Sequence, residues 1–200
     1  MSRCDLQHRV VEKAMSLFKE RGIKAVKMDD IAASLSISKR TLYELYENKE
    51  QLLLEGISLQ ISSNHSNLEH FAQTASNEME IVIYVIKRKL EELGSVNPLF
   101  FSDLNKYDHA LRFLQQSREQ NRKQTMLFIN KGIEHGYFMS DLNYDIISKI
   151  SDGVMNHVVE TKLYEQYPLR DLFVNYVFVQ IRGLCTEKGI SMLDEIFSNP

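Results

Sequence analysis

The stretch Met28-Asp29-Asp30-Ile31-Ala32-Ala33-Ser34-Leu35-Ser36-Ile37-Ser38-Lys39-Arg40-Thr41-Leu42-Tyr43-Glu44-Leu45-Tyr46 decides the fold of this chain. Ile31, Leu35, Ile37, Leu42 and Leu45 fall at the positions that two short, steeply crossing helices bury against each other. Ala32 stands where the second helix presses on the first, and only a small side chain fits there. Ser36 lies at the turn, and Ser38 is a natural N-cap because its hydroxyl can accept an orphan backbone amide. Together these positions spell a helix-turn-helix.

With Leu42 and Leu45 turned inward, the second helix shows Lys39, Arg40, Thr41, Tyr43 and Glu44 on its outer face. A helix of this kind fits the major groove of DNA, where its first residues reach base edges. Arg40 is the candidate base reader, since its fork can bind a guanine edge bidentately, and Lys39 can read guanine or hold a phosphate. Thr41 and Tyr43 offer hydroxyls suited to phosphates, which fix register without carrying sequence information. Lys49 opens the next helix, where its charge adds to exposed amides, and Lys27 flanks the other side. Taken singly, Lys39 or Lys49 is a solvated charge, and Tyr43 is as readily a ring packed on a neighbouring helix. Co-occurrence on one face beside the buried pattern favours DNA. Glu44 reads as a solvated or intrahelical charge rather than a cytosine reader.

Residues 9–55 resemble the DNA-binding part of the TetR family of bacterial transcriptional regulators. The matching residues are Gly22, Met28-Asp29-Asp30-Ile31-Ala32, Ser38, Thr41-Leu42-Tyr43, Lys49-Glu50 and Leu52. The resemblance implies Lys27, Thr41, Tyr43 and Lys49 as backbone contacts. Four departures stand out. Ser36 replaces the usual turn glycine, so a left-handed backbone there carries strain. Arg40 stands where glycine is common, which points to a readout driven more by side chains. Leu45 replaces a Tyr or His that commonly touches phosphate. Tyr46 replaces a Phe, with its ring expected in the core and its hydroxyl within reach of a phosphate.

The rest of the chain is expected to be all-α. It has 200 residues, three Pro, eight Gly, 44% hydrophobic and 26% charged residues, the balance of a globular protein. Helices are expected over about 6–21, 28–35, 38–46, 48–72, 78–93, 108–135, 144–166 and 169–187. Short ones are expected from Pro98 and from Ser191. Asn77 and Glu80 form a capping box, and Gly94 is a candidate C-terminal cap. The expected organisation is a DNA-binding domain over 1–50 and a regulatory, ligand-binding and dimerisation domain over 51–200.

The longest apolar run, 81–86, is too short for a membrane, and the N-terminus begins no signal-peptide core. Cys4 and Cys185 set up no disulfide framework, so a reduced, cytoplasmic setting is expected. The net charge of −3 hides an asymmetry. Residues 1–50 hold ten Lys and Arg against eight Asp and Glu, for +2; residues 51–200 hold fourteen against nineteen, for −5. The acidity therefore lies outside the expected DNA-binding segment.

The helices at 144–166 and 169–187 are apolar on more than one face and must bury more than one face. Ile146, Ile147, Ile150, Val154, Met155, Val158 and Val159 on one helix, and Leu172, Phe173, Tyr176, Val177, Val179 and Ile181 on the other, are candidates for a homodimer interface. The resemblance adds that such helices form a four-helix interface between subunits. It also implies a repressor that binds a palindromic operator and is released by a small-molecule effector. Tyr84, Phe100, Phe101, Tyr107, Phe113 and Phe128 are the candidate ligand-pocket residues, although each is also an ordinary core aromatic. No cofactor or metal is expected, because no His, Cys, Asp or Glu cluster has ligand spacing. An enzyme is disfavoured for want of an acid, base and nucleophile at recognisable spacing. The other alternative is a helical binding module of the same fold that has lost DNA recognition.

Overall fold

The computed structural model describes residues 3–197, without side-chain placement at residues 155, 159 and 195–197. Among the described residues ten α-helices follow one another: α1 Arg3–Arg21, α2 Met28–Ser34, α3 Lys39–Leu45, α4 Lys49–Ala72, α5 Glu78–Ser95, α6 Leu99–Leu104, α7 Asp108–Glu134, α8 Tyr144–Glu160, α9 Leu169–Leu184 and α10 Glu187–Phe197. Among the described residues the only β pairing is a single antiparallel bridge between Phe138 and Cys185. No helix among them is long and apolar enough to cross a membrane.

Several ends differ from the sequence expectation, each for a local reason. Gly94 does not cap α5, which runs on to Ser95. The expected helix over 144–166 stops at Glu160. There the Thr161 hydroxyl donates to the His157 carbonyl at 2.7 Å, Lys162 turns left-handed at φ 54°, and a 3-10 turn follows over Leu163–Glu165. The last helix begins at Glu187 instead of Ser191, because the Thr186 hydroxyl accepts the Gly189 amide and serves as its cap.

The chain packs as two compact units. The first takes the chain up to Ser66 together with Ser95–Ser117; the second takes Asn67–Gly94 and the chain from Arg118 onward. In the first unit Val10, Ala14, Leu17 and Phe18 of α1 form one buried stripe, the i, i+4 pattern of an amphipathic helix. It packs with Ile31 and Ala32 of α2, Leu42 of α3, Leu52 and Leu53 of α4 and Phe100 of α6. Burying one such leucine fully is worth roughly 1.5–3 kcal/mol.

The segment 95–117 is tied to the end of α1 by specific bonds. The Asn97 amide donates to the Lys19 carbonyl at 2.7 Å, and its side-chain amide donates to the Glu20 carbonyl at 3.1 Å. The carboxylate of Asp103, itself buried, accepts the Lys24 amide at 2.7 Å. Gly22 makes this close approach possible. It ends α1 at φ +86°, and a Cβ there would lie 3.0 Å from that of Leu99.

The second unit is built on Met79 and Ile86 of α5, Phe138, Cys185 and Leu193 of α10. Phe71 and Tyr84 stack at 4.2 Å between centroids, and the Glu78 carboxylate meets His135 Nδ1 at 2.8 Å.

Candidate nucleic-acid interface

The turn between α2 and α3 is set by backbone hydrogen bonds. The Ile37 amide donates to Ala32 O at 3.1 Å and the Ser36 amide to Ala33 O at 3.1 Å, the paired bonds of a Schellman ending. That ending requires a left-handed residue, and Ser36 supplies it at φ 55°. Asp30 closes the start of α2 by accepting the Lys27 amide at 2.8 Å. Asp29 and Asp30 also place negative charge on its positive end. Ser38 caps α3 as expected, its hydroxyl accepting the Thr41 amide at 3.0 Å. Ile31, Ala32 and Leu42 are buried, while Leu35, Ile37 and Leu45 pack half-buried against the same core. These six apolar positions of the helix-turn-helix therefore point inward.

Lys39, Arg40, Tyr43 and Glu44 are exposed on the outer face of α3, and the Tyr43 ring is half in solvent. Thr41 is half-buried, and its hydroxyl shares a 2.8 Å hydrogen bond with that of Ser38. Lys27 is exposed at the start of α2. Two ion pairs lie on this face. Lys39 Nζ meets Asp29 Oδ2 of α2 at 2.5 Å, and Arg40 Nε meets Glu44 Oε1 one turn on at 2.8 Å. Hydrogen bonding to Asp29, helped by its charge, raises the Lys39 pKa above the ordinary lysine value. Glu44 is thus an intrahelical charge, as its spacing suggested.

Lys49, expected at a phosphate, is placed elsewhere, and Tyr46 has its ring in the core as expected, with its hydroxyl buried too. Lys49 Nζ turns into the α1–α2 loop and donates to Ile23 O at 2.6 Å, Val26 O at 2.8 Å and Lys24 O at 3.4 Å. Its ammonium, with three protons, is saturated by three carbonyls. Burial lowers its pKa, opposed by the charges of Asp103 and Asp30. Lys49 is a clasp for the loop ahead of the helix-turn-helix, and the loop carbonyls it satisfies could not be located from sequence spacing. Tyr46 is buried, and its hydroxyl is sealed from solvent on the side of Glu55. Burial first, then the nearby Glu55 carboxylate, holds its pKa well above the ordinary value. It is a core residue and does not face a phosphate. The α4 terminus itself is closed by Asn48 Oδ1, which accepts the Gln51 amide at 3.0 Å, and by Gln51 Oε1, which accepts the Glu47 amide at 2.9 Å.

The six candidate pocket aromatics are divided between the two units. Phe100, Phe101, Tyr107 and Phe113 pack in the first unit beside the DNA-binding helices. Tyr84 stacks on Phe71, and Phe128 packs near Phe138 at 6.0 Å, both in the second unit. An apolar groove does exist in the second unit, lined by Ile86 and Leu90 of α5, Phe173, Val174, Val177, Phe178 and Ile181 of α9, and Leu193 of α10. The i, i+4 run Phe173, Val177, Ile181 was its signal in the sequence, where it was assigned to the dimer face. Among the described residues no group of three His, Cys, Asp or Glu side chains is placed to hold a metal.

On α8 and α9, Ile146, Ile150 and Val179 are 54%, 60% and 70% exposed, and no residue of α9 is fully buried. Of the other candidates on α8, Ile147 and Val154 are half-buried and Val158 is buried, while Met155 and Val159 have side chains outside the described residues.

Residues 10–55 match the family described as bacterial regulatory proteins, tetR family. The HTH-type transcriptional repressor KstR2 of Mycobacterium tuberculosis is 24% identical over 143 residues, which cover 69% of this chain and 72% of that one. Two solved structures share the fold. A TetR-family transcriptional regulator from Agrobacterium tumefaciens has a TM-score of 0.71 at 12% identity, covering 92% of this chain and all of that one. The regulator FadR from Bacillus subtilis, solved in complex with stearoyl-CoA, has a TM-score of 0.61 at 16% identity, covering 88% and 98%. A capped helix-turn-helix with a cationic outer face and this family match over it give one conclusion: residues 10–55 form the helix-turn-helix segment described for bacterial regulatory proteins of the tetR family, and the remainder shares the all-helical fold of the solved regulators.

Proposed function

We propose that this chain is a transcriptional repressor that binds a palindromic operator as a homodimer and is released by a small-molecule effector. In this reading residues 1–50 supply DNA recognition and residues 51–200 supply dimerisation and the response to ligand. The observation that carries it is the outer face of α3, where Lys39, Arg40 and Tyr43 stand exposed beside a correctly capped turn. Arg40 reads a base edge, Lys39 reads a base or holds a phosphate, and Lys27, Ser38, Thr41 and Tyr43 serve the backbone. The exposed Ile146, Ile150 and Val179 support α8 and α9 as the dimer surface, since apolar area of this kind is normally covered. The relative solved with stearoyl-CoA supports a small-molecule effector for this fold. A ligand shifts the DNA equilibrium only by its difference in affinity between the two states. A regulator of this family acts in the cytoplasm.

The test is selection of bound duplexes from a random library, followed by titration of the winner. The proposal expects two symmetric half-sites, a dimer mass on the DNA, and loss of roughly 1–3 kcal/mol at one base position in Arg40→Ala. Recovery of no sequence, or a protein monomeric at micromolar concentration, contradicts it.

A further inference from the structure

Both cations that open the recognition helix are already paired with carboxylates of the same chain. Asp29 reaches across from α2 to Lys39, and Glu44 reaches back one turn to Arg40. The Arg40 side chain is 88% exposed, so this contact, and not packing, sets where its guanidinium points. The contact is specific to one atom: Nε donates to Glu44 Oε1 at 2.8 Å. A guanidinium has five N–H groups in a fixed plane. With the Nε edge occupied, the Nη1 and Nη2 end remains as a two-donor fork aimed away from Glu44. That end matches the O6 and N7 acceptors of guanine.

A carboxylate on a face that meets phosphates costs attraction on every duplex alike. The return comes only where a base edge accepts a fork held in place, because less ordering remains to be done on binding. We propose, on the DNA-binding reading of α3, that Glu44 is a specificity-determining positioning residue. It holds Arg40 so that its Nη1/Nη2 end meets a guanine edge, and its charge weakens binding to duplexes lacking that guanine. Asp29 pairs with the neighbouring Lys39 from α2.

The experiment compares wild type, Glu44→Ala and Glu44→Gln on three duplexes: the selected operator, the operator with the Arg40-dependent guanine replaced, and a scrambled sequence. Glu44→Ala should bind the scrambled duplex several-fold more tightly, while its preference for the guanine falls about tenfold. Glu44→Gln still accepts the Nε–H, so it should bind the scrambled duplex more tightly and keep most of the guanine preference. In an Arg40→Ala background, Glu44→Ala should leave base preference unmoved. A Glu44→Ala protein with normal melting behaviour and an unchanged guanine preference overturns the proposal and reduces the pair to helix stabilisation. If wild type itself prefers no sequence, the DNA-binding reading fails first, and that is visible before any variant is made.

Discussion

Replacing Lys49 by Met keeps an unbranched stem and removes the ammonium that holds the α1–α2 loop. Three carbonyls then lose their donor, two of them close, at 2.6 and 2.8 Å, and one marginal at 3.4 Å. Hydrogen bonds to a charged donor contribute about 1.5–3 kcal/mol each. One ammonium serves both close acceptors, however, and the side chain is half-buried, so water recovers part of the loss. We expect a destabilisation of about 2–3 kcal/mol, more than surface lysines cost. In thermal unfolding followed by circular dichroism, the melting temperature should fall by about 5 °C or more. Below that transition, operator affinity of the folded Lys49→Met protein should stay close to wild type. A variant that melts like wild type but binds every duplex more weakly would refute the clasp and restore Lys49 as a phosphate ligand.

Other expectations follow from single sites. Ser36→Gly removes a side chain from a left-handed position at φ 55° and should stabilise the fold by roughly 1 kcal/mol in urea unfolding, with no change in DNA preference. The Cys185 thiol is buried, and burial pushes its pKa up to about 11. A thiol reagent at pH 8 should therefore label the exposed Cys4 promptly and Cys185 only on unfolding. Burial acts to raise the Glu78 pKa, but the His135 hydrogen bond, a backbone amide and the charges of His135 and Lys131 together bring it below the ordinary 4.5. A depressed carboxylate stabilises the fold above its unfolded pKa and loses that contribution as pH falls through the folded value. Stability should thus drop as pH falls below about 4.5, and Glu78→Gln should flatten the drop.

The helix-turn-helix was legible in the sequence because its signals are local. Ser38 caps α3 through a hydroxyl three residues from its partner amide, and Leu42 is buried by the period of its own helix. Ser36 could be recognised as strained because the resemblance places a glycine at that turn position, and the turn is left-handed there. What stayed hidden depends on contacts far apart in sequence. Lys49 and the Ile23 carbonyl are 26 residues apart, and Asp103 and the Lys24 amide 79. Nothing in the spacing of either residue announces its partner. The same holds for the aromatics. Phe100 and Phe101 belong with the DNA-binding helices because Asn97 anchors their segment to the end of α1, a choice that composition does not express. For α9 the difficulty was different. Its apolar residues are spread round the helix, so the groove and the exposed Val179 draw on one pattern that periodicity cannot divide.

The most direct test of the central claim is fluorescence anisotropy of the intact chain on its selected operator and on a scrambled duplex, across a salt series. A sequence-reading dimer with few placed cations should prefer the operator by at least about a thousandfold at physiological salt. Its affinity for both duplexes should fall as salt rises, and Arg40→Ala should lower the preference more than it lowers the salt slope. Equal affinity for the two duplexes, or a preference that survives Arg40→Ala intact, would contradict the assignment of the outer face of α3 as the surface that reads DNA.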